Sequence, residues 1–136
     1  MLKEIAVWLC GRVGGLTRGA NLQVGYREDT APVRCHTMLE TGGVIPIFGL
    51  TDRIDYLLQV VSRAADYQTA RADAWKIFDA IDGTAGWRIA ALTSGGQAYE
   101  AQTIEAQAVP QWIGQDEKGN HEFSTNYVFK MKKANT

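Results

Sequence analysis

Two histidines, two cysteines and one acidic turn are the residues of this chain to test first for chemistry. His36 lies inside one alternating segment and His121 opens another. Neither is accompanied by a serine, cysteine or acid in a recognisable nucleophile–base arrangement. The pair His121-Glu122 lacks the second histidine at helical spacing that a zinc helix requires. Residues 114–122, GQDEKGNHE, set Asp116, Asn120 and Glu122 in a faint calcium-loop pattern. Lys118 stands at the third position of that pattern, however, and Glu122 falls too early to be the bidentate acid. A polar, glycine-containing hairpin turn is the expectation there. Residues 11–19, GRVGGLTRG, follow a helical pattern instead of a strand and contain no Gly-Lys-Ser/Thr, so they read as a loop and not as a phosphate cradle. Cys10 and Cys35 read as buried, inert thiols. No catalytic set, metal or cofactor is expected.

The aromatic residues are more suggestive. Trp75 sits beside the apolar face of a helical segment and reads as partial core. Trp112 and Ile113 lie between Pro110 and Gly114, which break regular strand pairing, so they read as an apolar pair in a loop. Such a pair either folds back onto the core or anchors a partner, as aromatic residues do at protein interfaces. Ile45, Ile47 and Phe48 pose the same choice within residues 44–51, which form either a short strand or an apolar loop.

Composition narrows the classes. A chain of 136 residues with 46% hydrophobic content reads as one globular domain over residues 1–136. Fourteen basic and fifteen acidic residues are well mixed, with a net charge of -1, so charge makes no case for nucleic acid or an anionic membrane. The apolar run at residues 5–10 is too short to span a bilayer. It also lacks the apolar length and cleavage site of a signal peptide, and the bulky Trp8 and Leu9 before Cys10 do not suit a lipoprotein. Synthesis and assembly in the cytosol are expected.

These residues must be positioned by the following elements. Ile5, Leu9 and Val13 share one helical face, and Gly14-Gly15 provide a stop. Residues 22–26 and 33–41 read as strands. Residues 52–83 read as one strand followed at once by one helix. Ile54, Tyr56, Leu58 and Val60 face one way and Leu57 and Val61 the other, so both faces look covered. Ala70, Ala74, Ile77, Phe78 and Ile81 then form a helical stripe, with Asp66 as N-cap and Gly83 just past the end. Strands are expected at residues 87–92 and 98–109. In the last strand Phe123, Thr125, Tyr127, Phe129 and Met131 alternate against Glu122, Ser124, Asn126, Val128 and Lys130. The expectation is an α+β fold in the order α-β-β-β-α-β-β-β, with a mostly antiparallel, mixed sheet of about five to six strands and two helices packed on one face.

With these segments in order, the chain resembles the tail terminator proteins of long-tailed bacteriophages, also known as minor capsid or head–tail joining proteins. Three features carry the resemblance. Leu58-Gln59-Val60-Val61-Ser62-Arg63 leads into Asp66-Tyr67, and the helix from Ala70 to Ile81 closes in Asp82-Gly83. Pro110-Gln111-Trp112-Ile113-Gly114-Gln115-Asp116-Glu117 then runs through Gly119-Asn120-His121-Glu122-Phe123 to Asn126-Tyr127. The resemblance implies a virion protein, not an enzyme, that forms a ring, usually a hexamer, on the head-proximal end of the tail tube. Its implied partners are further copies of itself, the major tail tube protein and the head–tail connector. A closed ring needs a heterologous interface, one patch of each subunit meeting a different patch of the next. Residues 44–50 and 110–121 are the leading segments for such contacts, through Ile45, Ile47, Phe48, Trp112, Ile113, Gln115, Asp116 and His121. The alternatives are another neck or tail component of similar fold, or a small ligand-binding or enzymatic domain using His36, His121 or Asp116.

Overall fold

The two strongest apolar alternations of the sequence lie side by side at the centre of the sheet. A computed structural model describes residues 1–47 and 49–134, the side chains at 44, 45, 50 and 51 falling outside that description. Its elements are α1 (Leu2–Arg12), β1 (Leu22–Val24), β2 (Cys35–Ile47), β3 (Leu50–Ala64), α2 (Tyr67–Ile81), β4 (Trp87–Ile89), β5 (Ala98–Ala106), β6 (Gln111–Gln115) and β7 (His121–Ala134). β3 and β7 run antiparallel with Ile54 opposite Met131, Tyr56 opposite Phe129 and Leu58 opposite Tyr127. Their inward side chains therefore form one apolar face.

The architecture is α+β as expected, but the sheet has seven strands among the described residues, in the order β1-β2-β3-β7-β5-β4, with β6 also paired to β7. Among the named strands only β1 and β2 pair in parallel, which makes the sheet mixed. The additional strand is β6, where the sequence reads as a loop. Pro110 lies just before it, and Gly114 takes φ +111° beside a bulge between Trp112 and Gly114. The two breakers thus bound and kink a short edge strand without abolishing it.

Both helices cover the same face. Ile5, Ala6 and Leu9 of α1 and Ile77 and Ile81 of α2 join Tyr56, Leu58, Phe129 and Ile104 in one buried cluster. Each such side chain contributes about 1.5–3 kcal/mol on burial, so helices too short to be stable alone are held by the sheet. The Oδ2 of Asp66 accepts the Thr69 N–H at 3.0 Å and caps α2, and Gly83 follows the helix at φ +72°. Packing on the second face of β3 differs from expectation. Val61 is buried there and Leu57 half-buried, but neither joins the cluster that holds the helix side chains. Polar pairs such as Gln59 Nε2 to Ser124 Oγ at 2.8 Å share that face instead.

Several strands differ in length from their sequence patterns. β1, β4 and β5 end early, at Val24, Ile89 and Ala106, while β2 runs on to Ile47. Thus residues 44–47 and 50–51 belong to the ends of β2 and β3 and are not a separate strand. Pro46 is accommodated because β1 pairs only with residues 36–38 of β2, leaving that part of β2 an outer edge.

Candidate assembly interface

The first turn of α2 and the outer strand β6 bring four rings together. Trp112 lies opposite Phe123 in the β6–β7 ladder, which puts its ring on the helix-covered side of the sheet. Tyr67, the first residue of α2, meets it there. The Tyr67 ring lies 6.3 Å from Trp112, 5.7 Å from His121 and 5.2 Å from Phe123, the last two edge-on. Phe123 is buried beneath the group, whereas Trp112 is 51% exposed and the neighbouring Ile113, at the bulge, is 54% exposed. Val109 and Tyr67 are exposed as well. Half of the exposed large apolar side chains among the described residues therefore gather at this one margin, unlike the single scattered ones of an ordinary surface.

Hydrogen bonds fix the cluster. The Trp112 Nε1–H donates to His121 Nδ1 at 3.3 Å, and the other ring nitrogen, Nε2, lies 3.2 Å from the Gln115 amide nitrogen. Gln115 also donates to the Gly119 carbonyl at 3.2 Å. Asp116 organises the turn between β6 and β7. Its Oδ1 accepts the N–H groups of Lys118 and Asn120, both at 2.9 Å, and its Oδ2 accepts the Asn120 side-chain amide at 3.0 Å. The bonds from Asn120, with Lys118 and the nearby Arg63 adding to them, hold the Asp116 carboxyl below the usual carboxylate range against some desolvation. Gly119 takes φ +82° at the same turn. The calcium-like pattern of residues 114–122 is thus the expected hairpin turn, with Asp116 Oδ1 occupied by two backbone donors and Oδ2 by the Asn120 amide.

Of the residues singled out in the sequence, Trp112, Gln115 and His121 are brought into direct contact, with Ile113 and Asp116 next to them on the same hairpin. Ile47 is half-buried and pairs with Leu50 across the β2–β3 hairpin end, apart from this cluster. Phe48 and the side chain of Ile45 lie outside the described residues. The residues that sequence reasoning missed are Tyr67 and Phe123. Phe123 is the first inward position of β7, and Tyr67 lies in step with the stripe Ala70, Ala74, Ile77 and Ile81, so period places each on its inward face but does not show that they meet.

The second histidine is not free for chemistry of this kind. His36 is 8% exposed and its Nδ1 lies 2.7 Å from Ser62 Oγ. Burial first, then Arg34 and Lys76, push its pKa down to about 4, with Asp73 pulling the other way. It borders a hollow of about 280 Å³ between β2 and α2. The charged groups there are already engaged. Arg34 grips Asp73 through two 2.8 Å bonds, and Lys76 Nζ donates to the Gly14 carbonyl at 3.2 Å. Among the described residues no group of three His, Cys, Asp or Glu side chains is placed to hold a metal.

The chain is thus a seven-stranded sheet backed by two helices, with half of the exposed large apolar side chains among the described residues on one strand margin. Residues 11–133 match the family model described as bacteriophage tail terminator protein, and the chain belongs to that family. It is accordingly a structural protein of the phage tail and a component of the virion. No curated protein sequence matches it. Among the described residues no helix is long and apolar enough to cross a membrane.

Proposed function

We propose that the protein forms a homo-oligomeric ring, six-fold in the usual case, at the head-proximal end of the tail tube. There it stops tube polymerisation and offers its other face to the head–tail connector, with no catalytic step. Family membership supports the tail assignment, and the observation that carries the contact model is the half-exposed Trp112–Ile113 pair held rigidly on β6. Residues 110–121 are one contact segment and residues 44–50 the other. Near-zero net charge with mixed signs lets like subunits approach without strong repulsion.

The test is electron microscopy of purified protein with its tube protein. The wild type should sit only at one tube end and limit tube growth. Trp112→Ser with Ile113→Ser should leave a folded chain that no longer caps. Capping unchanged by the double substitution would remove this segment from the contact model, and a wild type found along the tube would overturn the terminator role.

A further inference from the structure

We propose that Arg63 is a positioning residue for the β6 margin: its guanidinium joins the loop before β2 to the β6–β7 turn, so that the two hold or loosen as one unit. The inference deepens the contact model above, and only its effect on capping rests on that model. β1 and β2 pair in parallel as neighbours, so the chain must return past the length of β1 between Val24 and Cys35. Residues 25–34 make that return as a strap. Gly25 opens it, with φ +86° and its N–H donating to the Met38 carbonyl at 2.8 Å.

Little burial holds the strap. Its residues are exposed apart from Arg27 and Ala31, which are half-buried, and the backbone bond within it is a local one, from the Ala31 N–H to the Glu28 carbonyl at 3.0 Å. Side chains tie it to the rest of the fold. Arg27 Nη1 donates to Glu122 Oε1 of β7 at 3.0 Å, and the Arg34–Asp73 pair pins the far end to α2. Arg63 stands opposite Cys35 in the β2–β3 ladder and opposite Glu122 in the β3–β7 ladder. It donates from Nε to the Val33 carbonyl at 2.9 Å and from Nη2 to the Pro32 carbonyl at 3.0 Å. Its Nη1 lies 3.6 Å from Asp116 Oδ2 in the β6–β7 turn.

Three nitrogens of one guanidinium therefore take acceptors from two segments far apart in the chain. The rigid fork of arginine suits such a span, and only 12% of the Arg63 side chain is exposed, so solvent screens its bonds little. Glu28 and Asp29 of the strap and Glu117 and Lys118 of the turn line one hollow of about 350 Å³ with it. Asp116 in turn holds the Lys118 and Asn120 N–H groups of the hairpin that carries Trp112 and Ile113. A strap drawn away from Arg63 thus loosens the turn, and a loosened turn removes an acceptor that keeps Arg63 against the strap. The coupling runs both ways.

Trypsin reads both segments in the purified chain, because Arg27 lies in the strap and Lys118 in the turn. Asp116→Asn removes the charge near Arg63 yet keeps an oxygen for the turn, and should speed cleavage after Arg27 about threefold. Glu122→Gln weakens the hold on the strap and should likewise speed cleavage after Lys118. Arg63→Met keeps an unbranched stem and should open both sites about tenfold. In its background Asp116→Asn should add nothing at Arg27. Cleavage after Arg71 and Lys76 of α2 should stay slow; faster cutting there would mean that these ties hold the whole fold, and would overturn a local coupling. Arg63→Met should also lower tube capping although Trp112 and Ile113 are unchanged. Far sites that stay protected in both single variants, or an Asp116→Asn effect at Arg27 that persists without Arg63, overturn the coupling. Full capping by Arg63→Met overturns the positioning role. A wild type that does not cap overturns the ring reading, and the coupling is then decided by cleavage alone.

Discussion

His36 shows how one buried side chain sets a pH dependence. Its folded-state pKa of about 4 lies below the ordinary 6.5, because burial disfavours the imidazolium. Between those values the unfolded chain binds a proton that the folded chain refuses. Stability from this group is therefore complete above pH 6.5 and is lost as pH falls toward 4, by up to about 3 kcal/mol. His36→Gln keeps a partner for Ser62 and should flatten this fall, read as urea midpoints at pH 7 and pH 4.5. An equally steep fall in the variant would assign the acid lability elsewhere. Asp66→Ala removes the cap on α2 and should cost about 1 kcal/mol in urea unfolding. Removing the Asp116 carboxyl should loosen the β6–β7 turn and speed amide exchange at Lys118 and Asn120. Unchanged exchange there would mean that the bonds at 2.9 Å do not hold the turn.

At the scale of elements, β6 and β7 respond to substitution in opposite ways. Phe129 is fully buried on β7 between Trp8 of α1 and Tyr56 of β3, so Phe129→Ala should cost about 3–5 kcal/mol. Trp112→Ser and Ile113→Ser strip half-exposed side chains from a margin, and together they should move the same urea midpoint far less. A large loss from the β6 pair would make it core and weaken its case as a contact surface. Much of this division was legible in the sequence. The inward alternation of β7, the stripe of α2 and the Asp66 cap follow from period and capping chemistry, which act over a few residues. β6 was not legible, because Pro110 and Gly114 suppress the local strand signal while pairing with β7 supplies it from outside. β4 ends at Ile89, opposite Tyr99 near the start of β5, and β5 ends at Ala106 opposite Tyr127, just before the stretch of β7 that pairs with β6 instead.

For the whole molecule, the order of strands matters more than any single side chain, because it decides which surfaces lie apart and which lie together. A ring that uses the β6 margin should be weakened by Trp112 substitution while the fold persists, read as oligomer mass beside circular dichroism. By itself the sequence determined the α+β class, the two helices on one face, the apolar core positions and the turn at residues 114–122. Each of these follows from local periodicity, glycine placement and capping. The resemblance to tail terminators was visible in the same segments, and the family match over residues 11–133 agrees with it. Only the tertiary structure decided that Tyr67 closes over Trp112 and His121, that β6 is an edge strand, and that Arg27 of the loop after β1 reaches Glu122 of β7. Those facts depend on pairings between residues far apart in the chain, and side-chain periodicity carries no record of which strand lies beside which.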